Sequence, residues 1–363
     1  MKINNPLKKI DAKYRLFVMV GIIIILFVLI IAITSLFLNR KMSFTKIEQK
    51  MKSAAQSYYA DRDDQLPKQD GEKVTVTVDA LVEAKKMKTL DQLSKVEACT
   101  GSVTVLNNNG FYLYLPYLDC GENYQTSTIA SHIINPANIV TAGNGLYKIG
   151  DEYIFRGEYV NNYITFAGEP WRIIKVNADH SLRLIHVAES DDYVWDNRYN
   201  SETGDSDGIN NYLVSRIRDR VVNTYNDNKF LSDTERSYII SHNACIGKRT
   251  VNDSNDVECS ILLENQPLAL PRASEIMLAS IDPQCTKINS MNCINYNWMA
   301  KLGQEFWTGT ADSTTTNYVY TISRIARKTE ASEEAALYVV LHLSGDLSYI
   351  SGDGSEKNPY IIK

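Results

Sequence analysis

The residues of this chain best suited to covalent chemistry are six cysteines: Cys99, Cys120, Cys245, Cys259, Cys285 and Cys293. Their even number allows complete pairing, and their spacing favours three local disulfides, Cys99–Cys120, Cys245–Cys259 and Cys285–Cys293. None shows the C-x-x-C spacing typical of zinc or redox sites. Unrelated buried thiols are the alternative. Because disulfides persist outside the cytoplasm, pairing predicts an extracellular location for residues 99–293.

An acidic, amide-rich loop over residues 191–208 contains the best candidates for a metal site. Asp205-x-Asp207-Gly208 matches part of a calcium-loop pattern, and Asn210 adds an amide oxygen nearby. The rest of that pattern is missing, so a solvated loop is the alternative. Calcium at Asp205, Asp207 and Asn210 is the only cofactor that the sequence suggests.

Patterns for catalysis are missing from the sequence. The histidines, at positions 132, 180, 186, 242 and 342, show no H-E-x-x-H spacing, and neither G-x-S-x-G nor a phosphate-binding loop occurs. Complete cysteine pairing would leave no thiol nucleophile. The sequence therefore predicts no catalytic residues and a protein that is not an enzyme, with an ectoenzyme assembled from distant residues as the alternative.

Tryptophans offer the remaining candidate surface. Trp171, Trp195, Trp298 and Trp307 are expected to anchor cores, because large aromatic side chains dominate packing. Trp195 lies in the polar loop beside Tyr193 and Tyr199, so these three side chains form a possible ligand surface for a glycan or a protein.

The run Leu16–Leu38 contains 23 residues without a charge. A helix of this length crosses a hydrocarbon core of about 30 Å. Buried core helices rarely have apolar runs this long, and the end of the run is a poor signal-peptidase site. The sequence therefore predicts a retained transmembrane helix in contact with the lipid bilayer.

Charge does not set the orientation of this helix, since five Lys or Arg residues flank each end (Lys2, Lys8, Lys9, Lys13 and Arg15; Arg40, Lys41, Lys46, Lys50 and Lys52). The cysteines decide instead. They predict a single-pass protein of the cell membrane with a cytoplasmic basic tail, 1–15, and extracellular C-terminal domains. Residues 42–363 contain 31 Lys and Arg against 42 Asp and Glu, which argues against nucleic-acid binding.

After the span, apolar residues from Phe44 to Tyr58 recur at helical spacing. They predict a stalk helix capped by Ser43, continuous or nearly so with the span and ending near Leu66-Pro67. Its apolar stripe packs either on its own domain or on neighbouring copies. Residues 39–125 are completed by a small β domain: a strand at Lys73–Val78, a helix capped by Asp79, and a hairpin from 102 to 115 turning at Asn107–Gly110.

This layout resembles the type IV pilins and pseudopilins over about residues 16–125. The likeness rests on the apolar helix, its continuation AAQSYYAD…LP, and the segment CTGSVTV…YLYLPYLDCG. It implies possible partners in other pilin-like subunits, bound through the stalk helix. The processing glycine of pilin precursors is missing from KKIDAKYR, and the Phe44-Thr45 stretch follows the apolar run instead of preceding it.

A polar segment, 126–145, is predicted to be a linker to a β-rich head domain, 146–363. Strands are expected at 152–155, 163–166, 171–176 and 182–187, then helices around Leu213–Val222 and Ser274–Ser280, then further strands. The motifs EPWRIIKV, LPRASEIMLAS and SGDGSEKNPYII resemble an uncharacterised domain of surface proteins from Gram-positive-type bacteria, over about residues 145–363. That likeness implies no activity.

The predicted fold class is α+β, with one transmembrane helix continuing into a stalk helix, a small antiparallel sheet and a larger β-rich domain. The predicted function is a membrane-anchored surface protein that displays a disulfide-stabilised head for binding or assembly. A minor pseudopilin of a secretion or DNA-uptake apparatus is the alternative.

Overall fold

The computed structural model describes residues 19–27, 29, 41–253 and 256–363. Residues 19–27 and 29 are helical and mostly exposed. Within the described ranges, no helix combines the length and apolarity needed to cross a membrane. The basic tail 1–15 and most of the predicted span Leu16–Leu38 lie outside the described residues.

The elements from residue 44 onward alternate short helices with many strands. The helices are α1 Phe44–Tyr59, α2 Val78–Glu83, α3 Leu90–Leu93, α4 Ile129–Ile133, α5 Arg216–Asn226, α6 Asp233–Arg236 and α7 Glu275–Leu278. The strands are β1 Lys73–Thr77, β2 Thr100–Asn108, β3 Phe111–Asp119, β4 Gly145–Ile149, β5 Glu152–Arg156, β6 Tyr163–Phe166, β7 Glu169–Val176, β8 Leu182–His186, β9 Asp192–Val194, β10 His242–Cys245, β11 Lys248–Arg249, β12 Leu262–Gln266, β13 Leu268–Ala269, β14 Phe306–Asp312, β15 Tyr318–Ile322, β16 Ala326–Glu330, β17 Glu334–Ala336, β18 Val340–Leu343, β19 Tyr349–Ser351 and β20 Tyr360–Ile362.

Helix α1 packs its apolar stripe on the protein's own small sheet. Ile47, Met51 and Ala55 are fully buried in a core that also contains Val103 and Leu118. The helix ends at Tyr59, before the predicted stop at Leu66-Pro67, and residues 41–43 before it are not helical. The apolar stripe of α1 is therefore buried against the protein's own sheet, the first of the two predicted alternatives.

The small sheet is antiparallel in the order β1-β2-β3. Asn109 and Gly110 both have positive φ between the paired residues Asn108 and Phe111, as a two-residue type I′ turn requires. The Cys99–Cys120 disulfide closes the open end of this hairpin, next to the terminal pair of β2 and β3.

The helix after β1 is capped differently from the prediction. Its N-cap is Thr77, whose hydroxyl accepts a hydrogen bond from the Ala80 amide (3.2 Å), and Asp79 lies in the first turn. An acidic residue in the first turn still favours the helix, because it interacts with the positive end of the helix dipole.

The larger part contains two principal sheets in the described residues. One has the order β13-β18-β8-β7-β6-β20-β19, with β5 and β4 continuing from β7, and the other has the order β16-β15-β14-β17-β9, with β11 beside β14. The predicted strands at 152–187 form β5 to β8, and antiparallel pairing joins them through β7. The chain is thus α+β, with a small antiparallel sheet and a larger β-rich part.

The predicted linker, 126–145, is not an extended connection. Its residues 129–133 form α4, and Ile129 and Ile133 are buried in the large core. The Ala130 amide donates to the Gly345 carbonyl (3.1 Å). The physical reason is local: Ile129, Ala130 and Ile133 share one helix face, so this polar-looking segment has an apolar side to bury.

The small sheet also contacts the larger part directly. The side-chain amide of Asn108 donates to the carbonyls of Ser237 (3.0 Å) and Ile239 (2.5 Å). From α1, the Lys52 ammonium group donates to the Tyr238 hydroxyl (2.9 Å). The tip of the hairpin is therefore hydrogen-bonded to residues 237–239.

Replacing Gly345 with Ala tests the docking of α4. A Cβ at this position would lie 1.9 Å from the His180 carbonyl oxygen and 2.7 Å from the Ala130 side chain. We expect Gly345→Ala to lower the free energy of unfolding by about 1–3 kcal/mol, the usual cost of overpacking. Gly309→Ala is the matched control, because its Cβ would make only ordinary contacts at 3.6 Å. Equal urea midpoints for the two variants would contradict this packing.

Candidate functional site

A charged cleft of about 380 Å³ opens where β7, β8 and β18 approach the two-stranded sheet of β10 and β12. Three of its side chains come from neighbouring strands of the large sheet. Arg183 in β8 is paired with both His342 in β18 and Lys175 in β7. Residues that are paired across strands point to the same face. The register therefore places Lys175, Arg183 and His342 in one cross-strand row along the cleft floor.

A buried carboxylate fixes the middle of this row. Glu275 has no exposed surface and accepts from Arg183 Nε at 2.5 Å, while the Arg272 amide donates to its other oxygen at 2.9 Å. Burial raises the pKa of Glu275, but the charges of Arg183 and Arg272 outweigh burial and lower that pKa to about 2. Glu275 is consequently ionised, and it holds Arg183 in one orientation.

His342 is a neutral member of the row. Its Nε2 lies 3.0 Å from Arg183 Nη1, and a guanidinium group can only donate, so Nε2 accepts. Burial lowers the pKa of His342 well below 6.5, and the positive charges of Arg183, His242, Lys175 and Arg272 lower it further. The imidazole therefore accepts a hydrogen bond here and does not carry a charge at neutral pH.

Across the cleft, His242 stacks on His342 with 3.8 Å between ring centroids. His242 Nε2 lies 3.2 Å from Asp179 Oδ2 and 3.2 Å from Ser181 Oγ. Hydrogen bonds from His242 and Ser181 hold the pKa of Asp179 well below its usual range. These groups do not form a nucleophile relay, because serine and aspartate contact the same ring nitrogen and Ser181 is buried.

The Cys245–Cys259 disulfide forms part of the cleft wall. Arg272 Nη1 lies 3.1 Å from Cys259 Sγ and 3.2 Å from Asp256 Oδ2. Behind it, Glu258 is fully buried, bonded to Arg249 at 2.8 Å and to the Ser274 amide at 3.0 Å. The disulfide loop thereby positions Arg272, which in turn contacts Glu275.

The three disulfides join the pairs that the sequence predicts. Their Cα–Cα distances are 4.2 Å for Cys99–Cys120, 4.4 Å for Cys245–Cys259 and 4.6 Å for Cys285–Cys293. All three are shorter than the roughly 7 Å beyond which two cysteines cannot be bridged.

The calcium candidates are not arranged as a common donor set. Asn210 is buried, its amide group donates to three main-chain carbonyls, and its Oδ1 accepts from the Lys248 ammonium group at 2.6 Å. A bound cation would compete with that ammonium group. Asp207 accepts from Thr203 and Asn317 instead. Across the part of the chain that the structure describes, no group of three or more His, Cys, Asp or Glu is placed to hold a metal ion.

The predicted aromatic ligand surface is wrong for Trp195. This side chain is 0 % exposed, and its Nε1 donates to the Thr308 carbonyl (3.1 Å). The reason is that the preceding residues form β9, which pairs with β17 and turns Trp195 into the large core. Tyr193 is half-buried beneath the Arg220 guanidinium group, and only Tyr199 is well exposed, at 63 %.

No sequence pattern predicts the cleft as a site, because its residues are far apart in the chain. A usable signal was present: Lys175, Arg183 and His342 are polar residues inside the otherwise apolar strand runs WRIIKV, LRLIH and VVLHL. A charged residue in a buried strand needs a partner. The sequence alone does not identify that partner as Glu275.

No family model matches this chain, and neither the curated proteins nor the solved structures searched contain a match.

Replacing His342 tests the charge state of the cleft. Because its pKa is lower in the folded state, the unfolded chain binds more protons, and stability should fall as the pH drops below about 6.5. We expect His342→Gln, which keeps an acceptor for Arg183, to make unfolding free energy less dependent on pH between about 5 and 7.

Burial also lowers the pKa values of His132 and His186. Both histidines are present in wild type and in H342Q, so the difference in pH dependence between the two proteins reports on His342. Replacement of the exposed His180 with Asn is the matched control. Urea unfolding at several pH values would measure the slopes. Identical slopes for wild type and H342Q would show that His342 is not held neutral.

Proposed function

We propose that this chain is a membrane-anchored surface protein whose disulfide-stabilised, β-rich part binds a polar ligand in the charged cleft. The observation that carries the proposal is the buried Glu275, which fixes Arg183 and Arg272 at the cleft wall before any ligand arrives. Groups that are already oriented lose little entropy on binding, so they favour affinity and selectivity.

The cleft presents both signs of charge at its surface. Lys175 is paired with Glu152 at 2.5 Å, and His242 with Asp179 at 3.2 Å. Asp179 keeps about half of its side chain exposed, at 52 %. A ligand with donors and acceptors, such as a peptide backbone with polar side chains, suits this lining better than an apolar one does. The described lining of the cleft contains no Trp, Tyr or Phe on which a sugar ring could stack, so a protein or peptide ligand is favoured.

Display outside the cytoplasm is supported by two independent features. Three disulfides occur in the described chain, and such bonds are rare where thiols are kept reduced. The 23-residue apolar run Leu16–Leu38 has the length of a membrane anchor.

Binding is preferred to catalysis on the geometry of the cleft. Its serine is buried, and His342 already accepts a hydrogen bond from Arg183. Glu275, the most strongly held acid, is sealed behind two arginines. These groups are arranged to hold charge in place, while a general acid or base must exchange protons with a substrate.

Ligand binding through the cleft can be tested with a peptide and glycan array probed with the full-length protein in detergent. We expect Asp179→Asn to weaken capture of any array ligand by about tenfold or more, the value of a hydrogen bond to a charged group. Asp346→Asn is the control, because Asp346 is similarly exposed, at 49 %, and pairs with Lys73 outside the cleft. Equal loss in both variants, or no loss in either, would contradict the cleft as the site.

Processing distinguishes the surface protein from a pseudopilin. Because the pilin-type glycine is missing before the apolar run, we expect the basic segment 1–15 to remain attached to that run in the mature protein. N-terminal sequencing of the protein isolated from its membrane would show this directly. A start immediately before the apolar run would support the pseudopilin alternative instead.

A further inference from the structure

A second cavity, of about 340 Å³, lies against β6 and β7, away from the charged cleft. One wall is apolar and the other contains Arg172. The apolar lining residues that keep some exposed surface are Pro170, Val187, Leu302 and Pro359, whereas Ile164 is fully buried in the large core. The two cavities share no lining residue. A cavity of this size fits a small molecule.

Arg172 lines this cavity, although only 6 % of the residue is exposed, and hydrogen bonds and aromatic rings hold its side chain in place. Its Nε donates to Asn162 Oδ1 at 2.8 Å, and Asn162 is itself fixed by donating to the Ile173 carbonyl at 2.8 Å. The rings of Tyr163 and Trp298 lie 4.3 and 4.4 Å from its Cζ. Tyr163 is the cross-strand partner of Arg172, so the register itself brings this ring beside the guanidinium group.

The charge of Arg172 has no carboxylate partner within ion-pair distance among the described residues. Its hydrogen bond to Asn162 uses Nε, which leaves Nη1 and Nη2 without a protein acceptor in the described chain. The neighbouring Lys301 is paired with Glu158 at 2.5 Å. Burial lowers the pKa of Arg172 to about 10, so it remains a cation at neutral pH.

Burial removes most of the water around this cation, and no carboxylate of the described residues bonds to it within ion-pair distance, which is unfavourable. Aromatic rings offset part of this cost. The remaining two nitrogens form a planar fork that matches a carboxylate, and such paired bonds are among the strongest hydrogen bonds in proteins. The two terminal nitrogens of Arg172 therefore offer a binding position for an anionic group.

We propose that this cavity binds the carboxylate of a small molecule whose apolar body lies against Pro170, Val187 and Leu302. A singly charged anion is favoured over a phosphate group, because Glu356 at the rim would repel a second negative charge. This site does not depend on the charged cleft or on its ligand.

Saturation-transfer NMR and tryptophan fluorescence of the full-length protein in detergent test the proposal, with phenylacetate as probe. Trp298 adjoins Arg172 and provides the optical signal. We expect phenylacetate to bind, phenyl phosphate to bind more weakly, and phenylacetamide, the same shape without charge, to bind at least about tenfold more weakly than phenylacetate. Phenylacetamide binding as well as phenylacetate, or no binding by either, would overturn the proposal.

Substitutions at the cavity test whether phenylacetate binds beside Arg172. Arg172→Met should abolish phenylacetate binding, while Arg327→Met, at an exposed arginine paired with Glu305, should retain it. If R172M does not fold, Val187→Trp provides the second test, because it fills the apolar wall and leaves Arg172 in place. Unchanged phenylacetate affinity in V187W or in folded R172M would show that Arg172 has a purely structural role.

Discussion

A fully buried carboxylate between two guanidinium groups joins three parts of the larger core. Glu275 begins α7, Arg183 belongs to β8, and Arg272 contacts the Cys245–Cys259 disulfide. Ionised groups are costly to bury, and the loss of one partner from such a group typically costs about 3–5 kcal/mol. The positions of β8, α7 and the Cys245–Cys259 loop are therefore coupled through these bonds. The charged cleft is the exposed side of this arrangement.

Hydrogen bonds join the small sheet directly to the larger part of the chain. The tip of the β2–β3 hairpin bonds to residues 237–239, and the predicted linker is folded against Gly345. Since α1 buries its apolar stripe on its own sheet, any contact with another copy would have to use its polar face. The small sheet is therefore packed against the larger part and is not a separate unit.

Local patterns predicted the local structure well. Alternating apolar residues and the Asn109-Gly110 turn indicated the hairpin, and cysteine spacing indicated the pairs found in the structure. The errors arose where tertiary context decides. Trp195 occurs in a polar stretch, yet a three-residue strand carries it into the core. The sequence also gives no sign that the oxygen of Asn210, a predicted calcium ligand, accepts from Lys248, 38 residues away. Partners so distant in sequence leave no local pattern.

The cross-strand row Lys175–Arg183–His342 also determines how the protein responds to several changes made at once. The charges of Arg183 and Lys175 both lower the pKa of His342, and Arg183 contacts both His342 and Glu275. Effects of substitutions at such positions do not add, because the first change alters the surroundings in which the second acts. Residues 175, 183 and 342 are therefore constrained as a group, and the effect of changing one of them depends on which side chains occupy the other two positions.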